Sequence, residues 1–330
     1  MKLRNRLFEK VAVLALVFGL ASVTITSNAV AGFPEKPINI WVGFSAGGSA
    51  HTISTLIAKE LKKTLGQPIV VTVKSGGAGS VMAAQLAKVK PDGYTLGVAV
   101  MDTWAFMPLV SKKASYEIGD FTYLGTLTTG SPCFYVKADS PWKTFNDLIE
   151  SAKTAQEPIK FVSLAPSVTL QFKSITKQAG VLNKFSIVTA RGSSRAVPMI
   201  LGGHADLGWG GGGHNKYVSK GKLRNLVITD KSHMADFPDL PTLVDLGYVG
   251  FPTGFKLIAG PKGIPADITK VLAGAIEKAV NVPDVVKIMK NFNDPVEYNS
   301  PDVTKKEIYS QTDYFRNLLA EFGKKKKIGQ

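Results

Sequence analysis

Ile38-Asn39-Ile40-Trp41-Val42-Gly43-Phe44-Ser45-Ala46-Gly47-Gly48-Ser49-Ala50-His51 decides the fold. Residues 38–44 are rich in β-forming side chains, bounded by Pro37 and by Gly47 and Gly48. Residues 51–65 then place Ile53, Leu56, Ile57, Leu61 and Leu65 at helical spacing, and Gly66 and Pro68 stop the helix. A second strand over 69–73, a glycine-rich turn over 75–79, a helix over 80–89, a turn at Pro91-Asp92-Gly93 and a third strand over 94–100 follow. Strand, helix, strand, helix, strand predicts a parallel sheet with right-handed crossovers.

The pattern repeats in the middle of the chain. Strands are expected at 134–137, 160–163, 185–189, 205–209 and 223–229. Helices are expected at 144–155, where Thr144 caps and Asp147 completes a capping box, at 169–179, and in a short stretch to Leu201. The end is mostly helical. A strand at 255–259 precedes a helix over 265–280, and Ser300-Pro301-Asp302 opens a last helix to about Phe322.

At 330 residues the chain has the length of about two domains. Its 45% hydrophobic and 20% charged residues are those of a globular protein. The net charge of +15 raises the question of a polyanionic partner. Part of it belongs to an expected export signal over residues 1–31: four basic residues and Glu9, an apolar run over 11–21 too short to span a bilayer, and Ala29-Val30-Ala31 as a cleavage site. Its removal after Ala31 leaves +12 and a protein expected in the periplasm. Export, and the lack of basic residues interleaved with aromatics on one element, argue against nucleic acid. Lone Cys133 excludes an internal disulfide. His51, His204, His214 and His233 have no zincin spacing, so neither a metal nor a cofactor is expected.

Gly43-Phe44-Ser45-Ala46-Gly47 matches G-x-S-x-G between a strand and a helix, which admits an exported serine hydrolase using Ser45. Against this, only about ten mature residues precede Gly43, too few for an oxyanion strand, and His51 is too close to serve as a late triad base. The same loop also suits an anion: helix-first-turn amides lack intrahelical partners, and glycines admit a close approach. The glycines serve equally well in a tight turn without a ligand. Gly76-Gly77-Ala78-Gly79 resembles a degraded dinucleotide loop, but Met82 stands where the last glycine belongs. Loops after the middle strands, at 163–167, 191–194 and 209–215, occupy equivalent positions, and in open parallel sheets such strand ends hold ligands. Arg191 and Arg195 are candidate carboxylate donors or plain surface arginines. Trp209 is either core or a stacking surface.

Several motifs, in order, resemble the Bug/TctC family, the extracytoplasmic solute receptors of tripartite tricarboxylate transporters. They are Gly43-Phe44-Ser45-Ala46-Gly47-Gly48, Leu65-Gly66-Gln67-Pro68, Gly76-Gly77-Ala78-Gly79, Pro91-Asp92-Gly93-Tyr94-Thr95-Leu96, Leu201-Gly202-Gly203 with Ala205-Asp206, Gly221-Lys222-Leu223-Arg224, and Leu240-Pro241-Thr242 with Gly247-Tyr248. The similarity extends over essentially the whole mature chain.

The resemblance implies an α/β, two-lobed periplasmic-binding-protein-like fold of the type II, flytrap kind. Each lobe would be a mainly parallel sheet flanked by helices, with residues 32–131 and 251–330 in one lobe and 132–250 in the other. It implies a small organic carboxylate as ligand, a two-subunit membrane permease as partner, a monomer, and no catalysis. A receptor for a sensor kinase is an alternative role. The implied ligand residues are Ser45, Ala46, Gly47, Gly48, Ser49 and His51 on the first loop, then Asp102 and Thr103. From the other lobe come Leu164, Ala165, Pro166, Ser167 and Thr169, then Arg191, Gly192, Trp209 and Gly210. This chain departs from the family in carrying His51 where an acid is usual. That favours a more anionic or larger ligand, unless His51 merely caps the helix.

Overall fold

The alternation of strand and helix organises two mixed sheets. A computed structural model describes residues 32–130, 132–190, 192–251 and 254–322. The export signal read at 1–31 and the lysine tail at 324–327 lie outside the described residues. From Pro34 onward the chain forms a single compact unit.

In the first lobe, β1 (Ile38–Val42), β2 (Ile69–Val73), β3 (Thr95–Val100), β4 (Phe121–Thr129) and the late strand β10 (Phe255–Pro261) pair in the order β2-β1-β3-β10-β4. In the second, β5 (Cys133–Lys137), β6 (Ile159–Ser163), β7 (Phe185–Thr189), β8 (Leu207–Gly210) and β9 (Leu223–Ile228) pair in the order β7-β6-β8-β5-β9. Each sheet is mixed in the same way: the fourth strand in order runs against the other four. The C-terminal ends of the parallel strands in each sheet therefore lie along one edge.

The helices are α1 (Ser49–Leu65), α2 (Ser80–Leu86), α3 (Met101–Ala105), α4 (Met107–Val110), α5 (Phe145–Thr154), α6 (Pro166–Gln178), α7 (Ser193–Leu201), α8 (Asn215–Val218), α9 (Ala266–Val280), α10 (Pro283–Asn291) and α11 (Pro301–Glu321). Their ends follow local chemistry. Gly66 closes α1 in the left-handed conformation at φ 72°. Thr144 and Asp147 make the reciprocal capping box of α5. Ser300 and Pro301 open α11. The sequence reading omitted β4, α3, α4, α8 and α10.

Aromatic side chains fill both cores. Phe106 meets Phe315 of α11 edge-on at 4.9 Å in the first lobe. Phe134 of β5 packs against Phe145, Phe161 and Phe172 in the second. Cys133 is buried there, and burial pushes its thiol pKa up, so it is an inert core side chain.

One helix joins the lobes. α6 follows β6, and Val168, Phe172 and Ile175 seat it in the second lobe's core. Leu170 on another face enters the first lobe's core beside Phe315 and Leu318. Lys177, two turns on, lies 3.0 Å from Glu321 of α11. Positions 167, 170, 171, 174 and 177 form one helical stripe, so the stripe that carries Ser167 also carries Leu170 and Lys177.

Candidate functional site

The candidate residues lie towards the C-terminal strand ends of the two sheets, which Asp102 and Ser167 bring together. After β1 the chain turns through Ser45, Ala46, Gly47 and Gly48, all exposed, into α1. Gly47 has φ +80°, and Gly48 is the extended N-cap of α1. Gly43, ahead of the turn, approaches Gly79 so closely that an added Cβ would stand 3.0 Å from the Gly79 Cα. The loops after β1 and β2 are thus packed together. His51 sits in the first turn of α1, and the Gly47 amide points at its Nδ1 over 3.5 Å. That is the outer limit of a hydrogen bond.

After β3 the chain enters α3. Thr103 is fully buried, and its hydroxyl donates to the Ala78 carbonyl at 2.8 Å. It ties the start of α3 to the glycine loop after β2. Asp102, one residue earlier, is half-buried and accepts a hydrogen bond from the Ser167 hydroxyl at the start of α6. This bond crosses from one lobe to the other, so it places the ends of β3 and β6 face to face. Burial raises the Asp102 pKa to about 6, against the opposing effect of the Ser167 bond.

In the second lobe, Pro166 starts α6, Ala165 is its N-cap and Ser167 is buried. The loop before it is self-bonded: Thr169 donates to Ser163 at 2.8 Å, and Ser163 donates to the Ala165 carbonyl at 2.9 Å. Gly192, exposed and with φ +85°, precedes α7. Arg191 lies outside the described residues, and Arg195 is exposed. Trp209 is half-buried against the second lobe's core, and its indole N–H donates to Thr229 at 3.0 Å. It therefore packs as core. Gly210 is buried, and an added Cβ there would stand 2.4 Å from the His214 Nδ1.

Two side chains escaped the sequence reading. Gln171 is 4% exposed, and its Nε2 donates to the Ser167 carbonyl at 3.2 Å, while its Oε1 has no partner. Its spacing of four from Ser167 was the available signal. His214 is fully buried, stacks on Tyr135 at 4.4 Å and meets Asn225 Oδ1 through Nε2 at 3.0 Å. Burial lowers its pKa to about 3, so it is neutral. Nothing in the local sequence marks it, because its partners come from other strands. Among the described residues no cluster of three or more histidines, cysteines or carboxylates could hold a metal.

Comparison with known proteins gives a consistent answer. Residues 53–323 match the family described as "Tripartite tricarboxylate transporter family receptor", TctC. A Cupriavidus necator protein, "UPF0065 protein in gbd 5'region", is 32% identical over 299 residues, covering 88% of each chain. A TctC solute-binding protein from Polaromonas superposes with a TM-score of 0.76 at 23% identity, over 88% of this chain and 99% of that one. MatC from Rhodopseudomonas palustris, solved with bound malate, gives 0.71 at 22% over 87% and 99%. Rpa4515 of R. palustris, solved with adipate, gives 0.73 at 21% over 87% and 97%.

Proposed function

The chain belongs to the tripartite tricarboxylate transporter receptor family, and from that premise we propose that it captures a small organic carboxylate between its lobes and passes it to a two-subunit membrane permease. The observation that carries the reading is the Asp102–Ser167 bond, which sets the first turn of α3 against the first turn of α6. In this reading the first-turn amides of α1 and α6 would face the ligand from the two lobes, as carboxylate binding by backbone donors requires. MatC and Rpa4515, which share this fold, were solved with malate and adipate. Family members are periplasmic binding proteins, and no helix among the described residues is long and apolar enough to cross a membrane. Capture would proceed by hinge closure of the two lobes on the ligand. The proposed ligand contacts are Ser45 to Ser49 and His51 on one wall, and Leu164 to Ser167 and Thr169 with Gly192 and Gly210 on the other.

Thermal-shift and calorimetric titration of the mature protein with mono-, di- and tricarboxylates test the reading. A true ligand at a hundred times its Kd should stabilise by about 2.7 kcal/mol. Failure of every organic acid to bind would refute it. A serine hydrolase would show esterase activity that Ser45→Ala abolishes, whereas a receptor shows none in either form.

A further inference from the structure

Asp102 and Gln171 both bond to Ser167 at the interlobe end of α6. Asp102 contributes a carboxylate, one oxygen of which takes the Ser167 hydroxyl. Gln171 contributes Oε1, buried and unpartnered one turn further along. The orientation of that amide is fixed, since its Nε2 donates to the Ser167 carbonyl and the reverse orientation would set two oxygens together. Among the described residues no lysine, arginine or histidine nitrogen pairs with Asp102.

A buried acceptor without a donor costs free energy that a ligand can recover by supplying one. A carboxylate without a cation beside it repels a second ligand carboxylate and attracts an ammonium or a hydroxyl. Resting on the carboxylate reading above, we infer that Asp102, with Gln171 beside it, selects carboxylates that carry a hydroxyl or ammonium donor over plain acids of the same length. The first-turn amides hold the ligand carboxylate, and Asp102 and Gln171 take its donor. The raised pKa of Asp102 agrees with a carboxylate that lacks a donor-rich partner in the free protein.

Calorimetric titration with matched acids tests the inference: malate and aspartate against succinate, lactate and alanine against propionate. The wild type should bind the donor-bearing member of a set about tenfold or more tightly, as expected when a buried acceptor would otherwise stay unpaired. Asp102→Asn keeps an oxygen for Ser167 but replaces the second acceptor with a donor, so the preference should narrow or reverse. Gln171→Met, which keeps the volume and removes the amide, should narrow it independently. Equal or tighter binding of the plain acids by the wild type overturns the inference and leaves the carboxylate reading standing. So does an unchanged preference in both variants. Failure of every acid to bind overturns both.

Discussion

Gly212, in the loop after β8, lies so close to Asn293, between α10 and α11, that an added Cβ would stand 2.1 Å from the Asn293 carbonyl oxygen. The two residues belong to different lobes. Gly212 has φ +138°, a conformation that side chains rarely adopt. Gly212→Ala therefore faces both backbone strain and a clash with a carbonyl that cannot move as a side chain would. Urea denaturation should show a loss of about 3 kcal/mol or more. Gly221→Ala is the control. It has φ +65° with nothing within 4 Å of the added carbon, so only the left-handed cost of about 1–2 kcal/mol applies.

The seam between α6 and α11 contains an apolar contact and an ion pair, and their weights differ. Leu170 is 2% exposed and sits in the first lobe's core. Lys177 and Glu321 have side chains 50% and 39% exposed. Leu170→Ala should cost about 2–5 kcal/mol in equilibrium unfolding, as buried leucines do. Glu321→Gln should cost less than about 1 kcal/mol. A larger loss from Glu321→Gln than from Leu170→Ala would mean that charge, and not burial, holds the seam.

The parallel part of each sheet was legible because its strands alternate with amphipathic helices whose stops are glycines and prolines. β4 was not. Its sequence, Phe121 to Thr129, contains Gly125 at φ +143°, where the pairing with β10 shifts register and Tyr298 packs into the space a side chain would fill. The strand is made by partners more than a hundred residues away, which no local pattern reports. The same distinction holds at the site. Glycine loops and helix starts could be read from spacing. The pairing of Asp102 with Ser167 could not, because it depends on how one lobe meets the other. Thr103, implied by the family resemblance, donates inward to Ala78, and Trp209, read as either core or a stacking surface, packs as core and donates to Thr229.

His214 should make the protein acid-sensitive. Asn225 donates through Nδ2 to Asn215 Oδ1 at 3.2 Å, so its oxygen faces the His214 Nε2–H, while burial disfavours the charged ring. The pKa is about 6.5 in the unfolded chain and about 3 in the folded one. The contribution to stability is complete above pH 6.5 and is lost as pH falls towards 3. By pH 4 the loss amounts to about 3 kcal/mol. His214→Gln keeps a donor for Asn225 without titrating. Its urea midpoint should fall less between pH 7 and pH 4 than that of the wild type.

Asp102 acts in the opposite sense over the same range. Its carboxyl has a pKa near 3.8 when unfolded and about 6 when folded, mainly because burial disfavours the charge. Between these values the folded state binds more protons, so stability falls as pH rises from about 4 to 6 and levels off above. The full shift corresponds to about 3 kcal/mol, and the partial exposure of the residue reduces this to about 2. Asp102→Asn retains the bond from Ser167 and carries no charge. The variant should therefore match the wild type near pH 4 and exceed it by about 2 kcal/mol at pH 7. Measuring the difference between the two proteins removes the shared effect of His214, which is larger and of opposite sign. If the two curves stay parallel from pH 4 to 7, the Asp102 carboxyl titrates alike in the folded and unfolded chain, and burial imposes no cost on its charge at the interlobe contact.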